Sequence, residues 1–234
     1  MLKVVSFKIC PFVQRVTALL EAKQIPYQVE YISLSDKPQW FLEISPNGQV
    51  PLLVTETGSV LFESDAIVEY LEEAYPALQP EVGSEQRALD RAWSYLASKH
   101  YLVQCSAQRS PDTDTLIERR AKLDSAFSKV ELALADGPYF NGTALSMVDI
   151  AWLPLLHRAA VIERRSGYDF LSGFPKVKHW QQALLATGLA EKSVSADFDD
   201  RFSEFYLSDQ TLLGRGENCN SNESDQACAN SSCC

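Results

Sequence analysis

The residue best placed to do chemistry stands near the start of the chain. Cys10-Pro11 follows a run of branched and aromatic residues and precedes a helical pattern, so its thiol sits at a strand-to-helix turn. Backbone N–H groups and the helix dipole at such a turn favour a thiolate over a thiol, and the thiolate is the nucleophile. Pro11 suits the first helical turn, where a backbone donor has no partner anyway. Three residues after Cys10 stands Val13 rather than a second cysteine. A C-x-x-C pair could close an internal disulfide. A lone activated cysteine must form a mixed disulfide with another molecule and be released by a second thiol. We read Cys10 as that nucleophile; the alternative is an inert buried cysteine.

Other positions carry weaker signals. In Asn47-Gly48-Gln49-Val50-Pro51-Leu52, Pro51 cannot donate to a sheet ladder and marks a strand start or a bend. Ser64-Asp65 opens a helix directly after a strand, so Ser64 could cap it, bind a carboxylate ligand, or do both. Ser146-Met147-Val148-Asp149 is an S-x-x-D capping box before an apolar helix, which makes Ser146 and Asp149 structural rather than catalytic. His100, His157 and His179 are scattered without ligand spacing, and no metal site is expected. Cys105 reads as a packed core residue rather than a second active thiol. Trp93, Tyr95 and Tyr101 read as core and cleft wall.

The elements that must hold these groups divide the chain in two. Residues 2–7 read as a strand, 12–23 as an amphipathic helix, and 27–32 as a second strand. Residues 40–44 form a short helix entered through Pro38 at an early helical position. Residues 52–55 and 60–62 are strands joined across a turn at 56–59, and a helix follows from Ser64. The order βαβαββα requires one parallel crossover and then a hairpin. From about residue 84 the pattern is helical throughout, over 84–107, 114–135, 146–163, 176–186 and 197–206. The expected organisation is an α/β domain over 1–77, an all-α domain over 84–206 and a disordered Cys-rich tail over 207–234. From Gly214 onward no large apolar residue remains to offset the ordering entropy.

Composition bounds the function. Of 234 residues, 46% are hydrophobic and 22% charged, which is ordinary for a globular protein able to bury its own core. The net charge is −10, and the last 21 residues hold only three of the acids and one base, so the acidity belongs to the body. That balance excludes a nucleic-acid backbone or an anionic membrane as the main partner. No apolar run approaches the length of a membrane span, and the N-terminus has no leader pattern, so the cytoplasm is expected. Cys10 and Cys105 are well separated in the body, which fits a reducing compartment. Cys219, Cys228, Cys233 and Cys234 crowd the tail, spaced 9, 5 and 1 apart, and match no zinc pattern. They stand as a dispensable tail, a soft-metal or oxidisable pair, or a lipidation signal.

Several motifs in register resemble cytosolic glutathione transferases, most closely the omega class. They are Lys8-Ile9-Cys10-Pro11-Phe12 with Arg15, Asp36-Lys37-Pro38-x-Trp40-Phe41, Ser45-Pro46-Asn47-Gly48-Gln49-Val50-Pro51, and Leu61-x-Glu63-Ser64 with Ile67 and Tyr70-Leu71. The resemblance runs over roughly residues 1–206 and implies a thioredoxin-like domain followed by the helical one. It implies that Cys10 forms a mixed disulfide with glutathione and that Lys37 holds the glycine carboxylate. It further implies that Val50, before a cis Pro51, pairs its backbone with the cysteinyl unit, and that Glu63 and Ser64 bind the γ-glutamyl end. Phe12, beside the nucleophile, is expected at the ligand and in the acceptor pocket. The implied activity is glutathione-dependent thiol transfer, dehydroascorbate reduction and deglutathionylation, with weak conjugation to chlorinated aromatics and a homodimeric assembly. The competing class is a non-catalytic binding or scaffold module, including chloride-intracellular-channel-like proteins, which share the Cys-Pro-Phe. Gln14, Arg15, Glu21 and Lys23 make the first helix a poor membrane span, and the retained Lys37, Glu63 and Ser64 argue for the enzyme.

Overall fold

A computed structural model describes residues 1–216. The cysteines of the tail, Cys219, Cys228, Cys233 and Cys234, lie outside the described residues.

Four strands make one mixed sheet in the order β2-β1-β3-β4. Strand β1 (Leu2–Ser6) pairs in parallel with β2 (Tyr27–Tyr31), and helix α1 (Pro11–Ala22) makes the crossover. Strand β3 (Leu52–Val54) lies antiparallel to β1, with Val4 opposite Leu53, and closes a hairpin with β4 (Val60–Phe62). Because side chains alternate along a strand, β1 serves two layers. Leu2 and Val4 join the main core with Val16 and Ile67, while Val5 meets Ile32, Phe41 and Leu52 on the other face. Phe41 belongs to the short helix α2 (Gln39–Ile44), where Pro38 is the N-cap and not the first helical residue. Helix α3 (Ser64–Ala74) packs beside α1.

The helical half comprises α4 (Ser84–Ala107), α5 (Thr113–Ala133), α6 (Met147–Ser166), α7 (Pro175–Ala186), α8 (Leu189–Lys192) and α9 (Phe198–Tyr206). Helix α6 is its axis. Buried side chains cover its whole circumference from Val148 to Ile162, as expected of a helix surrounded by others. Its start is fixed by the expected capping box, in which Ser146 accepts from the Asp149 N–H and the Asp149 carboxylate accepts from the Ser146 N–H. Gly167, at φ +75°, ends it in the left-handed region that glycine adopts without cost.

Two features depart from the sequence reading. Helix α8 has only one turn, too short for a hydrophobic period to register. The described chain also continues packing beyond residue 206. Leu212 and Leu213 are buried, and the Leu212 N–H donates to the Ser110 carbonyl at 2.9 Å. The boundary at 207 is therefore corrected: two leucines bury enough surface to hold residues 207–213 against the end of α4.

Candidate active site around Cys10

Cys10 is the N-cap of α1, with φ −76° and ψ 122°. Its N–H donates to the Phe7 carbonyl at 3.0 Å, and its carbonyl accepts from the Gln14 N–H at 3.1 Å. Pro11 takes the first helical position as expected. The thiol is free and half-buried. Burial pushes the Cys10 thiol above the ordinary cysteine range, while the N–H groups of Val13 and Phe12 and the Arg158 guanidinium pull it down. The turn therefore acts as the sequence implied, but desolvation outweighs it in the free protein.

Arg158, which the sequence reading did not single out, supplies the nearest charge. It lies on α6 and is 1% exposed. Nη2 donates to the Ile9 carbonyl at 3.2 Å, one residue before the nucleophile. Nη1 donates to the Pro154 carbonyl at 3.1 Å and to Gln14 Oε1, and the guanidinium lies 5.3 Å over the Phe198 ring. Among the described residues no carboxylate pairs with it; the groups that raise its pKa against burial are Cys105, Cys10, Tyr206 and Tyr101. An arginine stays protonated even when buried, so this is a fixed positive charge whose available anions are thiolates and phenolates. The signal was present in the sequence. Arg158 interrupts an apolar helix, and no acid stands three or four residues away to pair with it.

The other residues expected at the ligand lie on the same domain. Lys37, half-buried in the loop just before α2, donates from Nζ to the Gly48 carbonyl at 2.9 Å. The Val50–Pro51 peptide is cis, and Pro51 is buried at the foot of β3. Glu63 accepts from Asn47 Nδ2 at 2.9 Å, which ties two of the sequence motifs together. Ser64 is buried as the first residue of α3. The N-cap position of α3 is Glu63 rather than Ser64; its φ is +66° and its side chain makes no capping bond. An L-residue there is strained by roughly 1–3 kcal/mol, and such strain concentrates at ligand sites.

A cleft of about 520 Å³ opens beside the Cys10 loop, walled by Phe7, Lys8, Ile9 and Tyr31 on one side and by Arg201 and Phe205 of α9 on the other. Its cations are paired. Lys8 meets Asp197 at 2.6 Å, and Arg201 reaches Asp197 and Glu204 at 3.3 and 3.2 Å. Phe12 does not line this cleft; its ring meets Tyr101 edge-on at 5.0 Å, on the α4 side. Tyr31 and Phe205 are apolar walls that sequence reasoning missed, because both sit on ordinary amphipathic elements.

The remaining candidates are structural. Buried Asp149 accepts from the Phe140 N–H at 2.9 Å and from Trp180 Nε1 at 2.7 Å, in addition to its capping bonds. His157 is buried, with Nδ1 2.8 Å from Gln14 Nε2 and its ring stacked on Phe198 at 5.1 Å. Among the described residues no group of three His, Cys, Asp or Glu converges as a metal site. No described helix is long and apolar enough to cross a membrane.

Comparison with known proteins gives the same picture over most of the chain. The family model of the glutathione S-transferase N-terminal domain matches residues 9–74, and that of the C-terminal domain matches residues 106–183. Glutathione S-transferase omega-1 of Sus scrofa is 33% identical over 189 residues, covering 79% of this chain and 77% of that protein. The probable glutathione S-transferase DHAR1, cytosolic, of Oryza sativa subsp. japonica is 31% identical over 178 residues, covering 76% and 80%. The crystal structure of glutathione transferase Omega 3C from Trametes versicolor superposes with a TM-score of 0.70 at 28% identity, covering 83% of this chain and 89% of that one. With a cysteine at the start of α1, a cis Pro51 at the foot of β3 and relatives of this kind matched over three quarters or more of both chains, the chain belongs to the glutathione S-transferase family and is of the omega type.

Proposed function

We propose that this protein is a glutathione-dependent thiol transferase and reductase that works through a mixed disulfide between Cys10 and glutathione. The observation that carries the reading is the pairing of a single half-buried thiol at a helix start with a buried guanidinium, and with Val13 where a resolving cysteine would stand. Cys10 as thiolate attacks the glutathionyl sulfur of a mixed disulfide, and the acceptor leaves as its own thiolate. A second glutathione then attacks the glutathionyl sulfur on Cys10, releasing glutathione disulfide and restoring the Cys10 thiolate. With dehydroascorbate, the Cys10 thiolate adds to a carbonyl carbon; a glutathione thiolate then attacks the Cys10 sulfur of that adduct, the carbon–sulfur bond breaks with its electron pair leaving on ascorbate, and the resulting Cys10–glutathione disulfide is resolved by a second glutathione as before.

The binding roles follow from charge and backbone. Lys37 holds the glycine carboxylate through a charge-assisted bond. Val50 pairs its backbone with the cysteinyl unit beside Pro51. Glu63 faces the γ-glutamyl ammonium. Ser64, at the start of α3, takes the γ-glutamyl carboxylate where the helix N-terminus favours an anion. Phe12 packs next to the bound tripeptide. The acceptor enters the cleft between Phe7, Tyr31 and Phe205. We further propose that the protein works in the cytoplasm, as the name of the rice relative states for that protein, and as a homodimer.

The test is glutathione-dependent reduction of the hydroxyethyl–glutathione mixed disulfide and of dehydroascorbate, with Cys10→Ser beside the wild type. Robust turnover that disappears in Cys10→Ser is the expected result, with weak conjugation to chlorodinitrobenzene in parallel. A wild type that neither reduces these substrates nor binds glutathione makes the protein a non-catalytic module of the same fold.

A further inference from the structure

A second cavity, a slot of about 310 Å³, runs along α1 from Cys10 to Glu21, about three helical turns. Strand β2 forms one wall and residues 192–195 the other. Thr17 Oγ1 donates to the Ser193 carbonyl at 2.7 Å, which fixes that second wall against the helix. The two ends differ. At the far end Tyr27 donates its hydroxyl to Glu21 at 2.9 Å. At the near end Tyr31, opposite Ser6 in the parallel ladder, meets the loop that carries Cys10, and Lys8 lies 5.6 Å over its ring. Ser195 Oγ is buried without a well-formed hydrogen bond, close enough to act on Tyr31 and Asp197. Lys8 spends its charge on Asp197 at 2.6 Å, so this end presents hydroxyls to a ligand, which suits a small uncharged polar molecule. The apolar cleft reaches the same loop only as far as Ile9, whereas Cys10 itself lines the slot.

The sheet sets this slot and the glutathione residues on opposite flanks of the nucleophile. In the order β2-β1-β3-β4, β2 and β3 lie either side of β1, whose end leads into Cys10. The slot follows β2, while Pro51, Glu63 and Ser64 stand at the ends of β3 and β4. We propose that the slot is the binding site of a small, uncharged carbonyl acceptor, with dehydroascorbate as the probe, and that disulfide acceptors do not use it. The inference rests on the mixed-disulfide reading above. The Cys10 thiolate adds to the carbonyl carbon, and the carbonyl oxygen takes a proton from the Tyr31 or Ser195 hydroxyl. Glutathione in its own site then attacks Cys10 Sγ, and its thiol proton passes through solvent to restore that hydroxyl. The bond from Sγ to carbon breaks and its electron pair leaves on the acceptor, which is reduced, while Cys10 and glutathione are oxidised to their mixed disulfide. Displacement at sulfur is in line, so the acceptor carbon must sit across Sγ from glutathione, on the flank that holds the slot. A disulfide acceptor instead departs from the glutathionyl sulfur, one bond further from Cys10, and needs no room there.

The experiment measures steady-state reduction of dehydroascorbate and of the hydroxyethyl–glutathione mixed disulfide by the full chain. Ser195→Leu fills the near end of the slot, and Val29→Phe narrows it from the β2 wall, so either variant serves should the other disturb the fold. The expected result is a KM for dehydroascorbate about tenfold higher in both, with kcat/KM for the disulfide within about twofold of the wild type. Ser195→Ala, which removes only a hydroxyl, should lower kcat/KM for dehydroascorbate several-fold. Equal losses on both substrates, or an unchanged KM for dehydroascorbate, overturn the slot as the carbonyl site, and so does a wild type that reduces the disulfide alone. The mixed-disulfide reading survives each of those results. A wild type that reduces neither substrate, or turnover that persists in Cys10→Ser, overturns both.

Discussion

Arg158 reaches from the middle of α6 to the carbonyl of Ile9, 3.2 Å away, and so holds a buried positive charge one residue from Cys10. The contact joins the centre of the helical domain to the turn that carries the nucleophile. It also explains how a thiol raised by burial can still serve. The desolvation that disfavours the Cys10 thiolate also removes the water that would screen Arg158.

Replacing Arg158 therefore raises the Cys10 pKa further. Arg158→Met removes the charge at similar volume, and we expect the pH midpoint of Cys10 alkylation by iodoacetamide to climb by about one unit, equivalent to ~1.4 kcal/mol. The rate of disulfide reduction at neutral pH should fall about tenfold, with recovery as pH rises. Arg158→Lys should restore the midpoint only partly, because an ammonium cannot reach Ile9, Pro154 and Gln14 together. A midpoint unchanged in Arg158→Met would assign the thiol's reactivity to the helix start alone.

Glu63 offers a test that separates binding from folding. At φ +66° its backbone is strained, and a glycine there relaxes it. We expect Glu63→Gly to keep or raise the urea midpoint while KM for glutathione rises about tenfold, the loss of one charge-assisted contact. A variant that unfolds more readily would show that the Glu63–Asn47 bond matters more to the fold than the strain does.

Asp149 fixes the start of α6 with a buried carboxylate that takes four hydrogen bonds, from Ser146 N and Oγ, Phe140 N and Trp180 Nε1, at 2.6 to 2.9 Å. Removing it strands those donors. We expect Asp149→Ala to cost about 4 kcal/mol, and Asp149→Asn about 2 kcal/mol because an amide nitrogen cannot accept. Ser146→Ala should cost about 1 kcal/mol, the usual value of an N-cap. Urea unfolding at constant m-value measures all three. Glutathione KM should not change in any variant that still folds, since the box lies in the helical domain.

What was legible in the sequence follows the range of the signals. The strand and helix order of residues 1–74 is carried by local period and turn residues, and β4 and α4 fall where those place them. The capping box was legible because it lies within one turn. The balance at Cys10 was not, because the groups that act on it include Arg158 of α6, distant in sequence. Arg158 left a local trace, a cation in an apolar helix with no acid three or four residues away, but its contact with Ile9 spans most of the chain. Leu212 and Leu213 were hidden by their polar neighbours, although both are buried and Leu212 pairs its N–H with the distant Ser110 carbonyl.

His157 gives the fold its own acid sensitivity. The ring is buried on Phe198, Gln14 Nε2 donates to Nδ1 at 2.8 Å, and Arg158 is the next residue on α6. Burial first, then the positive charges of Arg158 and Arg164, lower its pKa to about 3. Protonation would also turn Nδ1 into a donor facing the Gln14 amide donor. The unfolded chain takes up this proton near the model-peptide value of 6.5, and the folded one only near 3. Between those values the unfolded state binds more protons, so stability falls as pH falls, by up to about 1.4 kcal/mol per pH unit. Above 6.5 neither state is protonated at this site, and the contribution is constant. We expect the urea midpoint of the wild type to drop from pH 6.5 toward 4.5 more steeply than that of His157→Gln, which cannot titrate but keeps a polar partner for Gln14. Carboxylates add the same slope to both proteins, so the difference between the curves isolates the imidazole. Parallel curves would mean that His157 is solvated and charged in the folded protein.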